Sequence, residues 1–264
     1  MDIIQRNFIT LLRCGAFNAQ EPLEPMSHWK WNRLYQISQI HGVTPWIADG
    51  IEARRDDFFL QITPELKRRF EEDTTERTEE YSHTELTNPL LNRKLQQIEA
   101  RTDEGDYTLK LLQTIINVAR NILTQGISLR QLIMLGTYIK HTKDPIRYEE
   151  LRTWIKQLGM ERIAKLEGSM LIELFRFTPD EIRFCDAQSN KDTRRVVRDL
   201  FLVTEKKAAD WYFTQGKSIF VKSSDSDAMI WHVKHSAKYM LYYPNEAFTN
   251  FIANFAHSLS HIEE

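Results

Sequence analysis

Cysteine is nearly absent from this sequence of 264 residues, with Cys14 and Cys185 the only two. They lie far apart and outside any CxxC spacing, which excludes a disulfide framework and a thiolate zinc site. Two reduced thiols fit a cytoplasmic protein, which is the expectation here. An excess of charge of one sign is also missing. Lys and Arg number 35 against 37 Asp and Glu, a formal net charge of -2. No overall field draws in nucleic acid, so any charged partner has to be recognised locally. Long apolar runs are absent as well, none approaching the roughly 18 residues needed to cross a bilayer. Gln5, Arg6, Asn7 and Arg13 interrupt the first apolar residues, which argues against a signal peptide there. Strand patterns are scarce. The best is residues 218–222 (SIFVK), and one short strand makes no sheet.

What is abundant is apolar residues at helical spacing. With 42% hydrophobic and 11% aromatic residues, a chain of this length can bury about three quarters of the surface it exposes when unfolded. Ile3, Ile4, Phe8, Leu11 and Leu12 form a first stripe. Leu109, Leu112, Ile116, Ala119 and Leu123 fall at steps of three and four, and Gly126 ends that helix. Leu129, Leu132, Ile133 and Ile139 line the next, Leu151, Trp154, Ile155 and Leu158 a third, and Ile163, Leu166, Met170, Leu171 and Leu174 a fourth. Short connections make these antiparallel helical hairpins. Thr44-Pro45, Thr63-Pro64 and Thr178-Pro179 read as helix starts, a capping hydroxyl followed by a proline whose missing N–H costs little in the first turn. Glu181 completes a capping-box pattern with Thr178. The charged stretch 64–81, with Glu71, Glu72, Asp73, Glu76, Glu79 and Glu80, reads as a solvated helix face or a connector. The expected fold is all-α, a multi-helix bundle of about ten to twelve helices with no substantial sheet. Its expected organisation is an N-terminal helical region, 1–81, packed against a larger C-terminal region, 82–264.

One block carries more than periodicity. Residues 126–135 (GISLRQLIML) resemble the GIGLRQLCDW-type segment of a largely uncharacterised bacterial nucleotidyltransferase family common in gut Bacteroides-type bacteria. Residues 88–95 (NPLLNRKL) and 148–159 (YEELRTWIKQLG) resemble the segments on either side of it. Residues 34–47 (LYQISQIHGVTPWI), with the HGV-x-P turn at His41, Gly42, Val43 and Pro45, resemble that family's N-terminal helices. The resemblance implies a catalytic module among these blocks, with a glycine-rich turn and an Asp-hydrophobic-Asp pair. Alternate positions on a strand put both carboxylates on one face, where they hold Mg²⁺ against a triphosphate. Here residues 66–81 run almost directly into Asn88, and no acid pair fits. Asp225-Ser226-Asp227, downstream of Gly216, has the spacing, but Ser226 is not hydrophobic and the run reads as a cap or loop. Gly168-Ser169 followed by Asp180 fails because Glu181-Ile182 breaks the alternation. Met134 stands where the family has an acid.

What the resemblance then implies is a helical shell without its transferase core, a non-catalytic binding or adaptor module. Its setting would be surface-polysaccharide or other nucleotide-dependent biosynthesis, and its partner another protein, a full-length relative or a second copy of the chain. The alternatives are a divergent metal-dependent nucleotidyltransferase with acids recruited from elsewhere, and a binder of nucleic acid or another anionic partner. No catalytic residue, metal or cofactor is assigned.

Two groups of residues are candidates for ligand binding. Arg130 and Gln131 sit within the LRQL block between core positions Leu129 and Leu132. Arg130 reads either as a structural ion pair or hydrogen-bonding group at a neighbouring helix end, or, with Gln131, as an anion pocket. Arg194, Arg195 and Arg198 open the tract 191–238, where ten basic and six acidic residues alternate with Phe201, Trp211, Tyr212, Phe213, Phe220 and Trp231. On adjacent helix turns these arginines would form a patch for phosphate, RNA or anionic lipid, and the plainer reading is a solvated face. The intervening acids argue against nucleic acid. Gln215-Gly216-Lys217-Ser218 is similar to the end of a P-loop, but Trp211 occupies the position of its first glycine. His232 with His235, and His257 with His261, share helix faces without the acid of an HExxH site, and read as surface histidines. A GxSxG elbow is absent.

Overall fold

Short polar side chains set most of the helix starts, by accepting hydrogen bonds from the first free amides. Helix α1 (Ile3–Phe17) begins at a capping box, with Gln5 N–H donating to the Asp2 carboxylate at 2.8 Å and Asp2 N–H donating to Gln5 Oε1 at 3.2 Å. Helices α2 (His28–Ile40) and α3 (Thr44–Ala53) follow, joined by a turn through Gly42 at φ 60°. In α4 (Pro64–Glu71), the Thr63 hydroxyl accepts from Leu66 N–H at 3.3 Å, as the Thr-Pro pattern predicts. Asn88 caps α5 (Pro89–Glu99), Asp106 caps α6 (Tyr107–Thr124) and Ser128 caps α7 (Leu129–His141). The remaining helices are α8 (Tyr148–Gln157), α9 (Glu161–Phe175), α10 (residues 191–201) and α11 (Pro244–Ser260).

The computed structural model describes residues 1–72, 84–103, 105–142, 145–201 and 239–260, and all regular structure among them is helical, with no strand. The chain is an all-α, multi-helix fold, as its periodicity predicts. The strand-like run 218–222, the Asp225-Ser226-Asp227 run with Gly216, the Gln215–Ser218 stretch, His232, His235, His261 and the acids from Asp73 to Glu80 lie outside the described residues. No helix among the described residues is long and apolar enough to cross a membrane.

Helix α6 lies at the centre. Its predicted stripe is buried, and so are Leu111, Ile115, Val118 and Ile122 around the rest of its circumference, which is what a helix surrounded by others requires. Helices α7, α8, α9 and α11 all pack on it. One continuous apolar cluster runs from Ile4 in α1 to Ala247 in α11. The closest crossing is α1 on α3, where two glycines let backbones touch. A Cβ on Gly15 would lie 1.9 Å from the Trp46 carbonyl oxygen, and one on Gly50 would lie 2.3 Å from that of Leu11. Helix α1 also meets α9 through Arg13 Nε, which donates to the Leu174 carbonyl at 2.6 Å, and through Phe17, whose ring lies 5.3 Å from that of Phe175.

Two local expectations differ from what forms. Thr44 lies inside α3 and is fully buried, its hydroxyl 3.2 Å from Ser38 Oγ, so it bridges two helices and does not cap one. Thr178-Pro179 opens a chain of turns and no helix. Glu181 does reach back, accepting from Thr178 N–H at 2.7 Å, but the Thr178 hydroxyl donates to the same carboxylate and caps nothing. The reason lies in burial. Phe177, Ile182, Phe184 and Ala187 are all pinned into the core, a spacing that no single helix face offers.

Candidate functional site

Arg130 is half-buried near the start of α7, and its Cδ lies 3.9 Å from where a Cβ on Gly42 would stand. The LRQL block and the HGV turn therefore meet in space. Gln131 is 4% exposed, and its N–H donates to the Ser128 hydroxyl at 3.3 Å. Arg194, Arg195 and Arg198 share the exposed side of α10, whose Thr193, Val196 and Val197 face the core. Arg194 Nε lies 3.6 Å from the Glu173 carboxylate of α9. Part of that patch is thus already neutralised.

A cleft lies elsewhere, between α8 and residues 179–188, with a volume of about 660 Å³. Its position follows from the anchoring of both walls. Asp106 caps α6 and also holds Arg147 Nη1 at 2.7 Å, while Arg147 N–H donates to the Thr108 hydroxyl at 3.1 Å, so the start of α8 is fixed on the start of α6. Burial works against the charge, but the Arg147 guanidinium and two backbone amides outweigh it and hold the Asp106 carboxyl below its usual range. The other wall lies close on α9 because residue 168 is glycine. A Cβ there would fall 2.7 Å from Ile182, 2.8 Å from Cys185 Sγ and 2.9 Å from Ala187. Cys185 Sγ donates to the Ala164 carbonyl at 3.3 Å, Gln188 N–H donates to the Ser169 hydroxyl at 3.3 Å, and the Ser189 hydroxyl donates to Glu173.

Across the cleft, the Arg183 guanidinium lies 4.5 Å above the Tyr148 ring. Arg152 spans the same gap, its Nε donating to the Arg183 carbonyl at 2.8 Å and its Nη1 3.3 Å from Asp186. Among the described residues Arg183 makes no ion pair, and it faces the opening. A second recess of about 470 Å³ adjoins, sharing Tyr148, Asp180 and Arg183 and adding Lys140, His141 and Glu181. The polar lining is mixed in sign, with Arg152, Arg183 and Lys140 against Glu149, Asp180, Glu181 and Asp186. Such a surface suits a ligand of mixed charge better than a bare anion.

Burial governs the titratable groups beside the cleft. Burial pushes the Cys185 thiol up to about 12, so it is a neutral thiol and a poor nucleophile at physiological pH. Burial also raises the Tyr148 hydroxyl, with Arg183 acting against it. Behind this wall, Glu167 of α9 is fully buried and neither of its carboxyl oxygens has a hydrogen-bond partner among the described residues. Burial raises it well above the ordinary carboxylate range.

Of the cleft residues, the sequence raised only Asp180, set aside as a metal-binding acid, Glu181 as a capping residue and Cys185 as a reduced thiol, and none as a binding residue. Tyr148 and Arg152 stand in the YEELRTWIKQLG block, but only the structure brings them opposite Arg183. Glu167 did carry a signal, since it falls four residues after Ile163 and four before Leu171 in a buried stripe. Among the described residues, no group of three or more His, Cys, Asp or Glu side chains could hold a metal ion. Comparison of the chain with family models, with curated proteins and with solved structures finds no match.

Proposed function

We propose that this chain is a non-catalytic, nucleotidyltransferase-like helical module that binds another protein through the cleft between α8 and residues 179–188. The observation that supports it most is the Tyr148–Arg183 and Arg152–Asp186 arrangement, a concave surface of mixed charge anchored on both walls. Its one free guanidinium, among the described residues, stacks on an aromatic ring. Tyr and Arg side chains of this kind dominate protein interfaces, because they bury much area at small entropic cost. The partner we favour is a full-length nucleotidyltransferase relative, in surface-polysaccharide or other nucleotide-dependent biosynthesis, and that part rests on the resemblance of the blocks 34–47, 88–95, 126–135 and 148–159.

Those blocks supply Leu34, Ile47, Leu91, Leu95, Leu132, Leu135, Leu151 and Ile155 to a single core, which fits a shell that holds its shape alone. Co-purification of the tagged chain with such a relative tests the reading. Capture is expected, and it should be lost in the Arg152→Glu, Arg183→Glu double variant and kept when Arg195 and Arg198 are reversed in charge. A rise in melting temperature with Mg²⁺ and any nucleoside triphosphate would overturn the non-catalytic assignment and favour the divergent enzyme.

A further inference from the structure

Part of the charge lining the cleft and its adjoining recess is already paired. Arg152 holds Asp186 at 3.3 Å, and Lys140 lies 3.7 Å from Glu181 and 4.7 Å from the centre of the Phe177 ring. Three charged side chains, Asp180, Arg183 and Glu149, have no ion pair or hydrogen bond among the described residues, and all three are exposed. Arg183 is the fixed member of this set. Its guanidinium lies 4.5 Å above the Tyr148 ring, and Arg152 Nε donates to its carbonyl at 2.8 Å, so both ends of the residue are held. Arg183 reaches across the gap, and an unpaired acid stands on either wall. Asp180 belongs to its own stretch, and Glu149 is next to Tyr148 on α8. Tyr148, Asp180 and Arg183 line both recesses, which join there into one groove.

We propose that the partner fills this groove with a segment in which a carboxylate is flanked on both sides by basic side chains, the carboxylate on Arg183 and the bases toward Asp180 and Glu149. This names the chemistry of the partner and rests on the cleft being the binding site. A guanidinium whose plane is set by a ring presents two parallel N–H donors, the fork that a carboxylate accepts. Holding it in place beforehand removes the ordering cost that a free surface arginine incurs on binding. The two unpaired acids discriminate among anions. A phosphate dianion or a nucleic-acid backbone on Arg183 meets repulsion from both, whereas basic neighbours of a partner carboxylate neutralise them. The groove therefore suits a protein segment over a nucleotide or RNA.

Amide NMR of the full chain, titrated with short peptides that differ only at their centre, tests the pattern and reads affinities as weak as millimolar. A peptide centred on Lys-Asp-Lys should shift the amides of 148–152 and 180–186, and should bind about tenfold more tightly than one centred on Lys-Lys-Lys. Because Arg183 is exposed, Arg183→Glu leaves the core intact, and it should reverse that preference by a similar factor. A peptide centred on Lys-phosphoserine-Lys should bind more weakly than Lys-Asp-Lys. No shift with Lys-Asp-Lys, tighter binding of the phosphopeptide, no reversal in the variant, or shifts scattered outside these two stretches would overturn the proposal. Capture of the relative without the reversal would sink the charge pattern alone and leave the cleft as the binding site. Reversal without capture would uphold the pattern and sink the choice of partner.

Discussion

Glu246 offers the sharpest test of how the C-terminal helix is held. It lies in the first turn of α11, is 1% exposed, and accepts from Thr87 N–H at 2.5 Å through one oxygen and from Asn88 N–H at 2.9 Å through the other. Both amides precede the first turn of α5, where the helix dipole favours a negative charge. A hydrogen bond to a charged group contributes about 1.5–3 kcal/mol net. Two would suggest about 3–6 kcal/mol, and because Thr87 and Asn88 are half-buried, water can partly replace the lost acceptor, so the lower end applies. Glu246→Ala should therefore cost about 3 kcal/mol, a large share of the roughly 5–15 kcal/mol that holds a domain folded. Glu246→Gln keeps one acceptor but turns an NH₂ group toward a second N–H, and should cost about 2 kcal/mol. Urea unfolding at pH 7 reads both. Asn88 Nδ2 also donates to the Thr249 hydroxyl at 3.1 Å, so a cycle of Glu246→Ala with Thr249→Val should show coupling of about 0.5–1 kcal/mol. A loss below about 1 kcal/mol for Glu246→Ala would refute the reasoning, since the carboxylate would then be a bystander at this junction.

Other expectations follow from single features. Gly15→Ala must push the Trp46 carbonyl away, and should lower stability by several kcal/mol or prevent α1 from seating, visible as a lost cooperative melt. Arg13→Ala removes the donor to Leu174 and the 3.1 Å pair with Glu21, and should cost about 2 kcal/mol in urea unfolding, with Arg176 still beside Glu21 to limit the damage. Because burial raises the Glu167 carboxyl, the folded state binds its proton more tightly than the unfolded chain does. Its contribution is intact below about pH 4.3 and is lost as pH rises toward the folded value, by at most about 1.4 kcal/mol per unit, so Glu167→Gln should flatten the fall in stability measured between pH 5 and 7.

The helices were legible in the sequence because burial in them is periodic. Leu109 to Leu123, Leu151 to Leu158 and Ile163 to Leu174 fall at steps of three and four, and each set is buried. Thr63 behaves as a cap because Pro64 follows it and a helical stripe lies beyond. Thr178 has the same local chemistry, but Phe177, Ile182, Phe184 and Ala187 pull the chain into the core at spacings that a helix cannot satisfy. Local propensity gave way to tertiary burial there. The cleft was not legible at all. Tyr148 and Arg183 are distant in sequence, and what joins them is the close approach of residues 182–187 to Gly168, a fact of packing that no motif encodes. Arg130 and Gly42 were found as separate blocks, and their proximity likewise needed the fold.

The bond from Arg13 to the Leu174 carbonyl links positions 161 residues apart. At a synthesis rate of about 5–20 residues per second, α1 leaves the ribosome roughly ten to thirty seconds before its α9 partner exists. Helix α3 arrives early and, through Gly15 and Gly50, can shelter one flank of α1 at once, while Phe17 and its neighbours wait uncovered. Newly made chains are thus most exposed to aggregation and to chaperone capture in that interval, and premature termination before α9 leaves this flank bare for good.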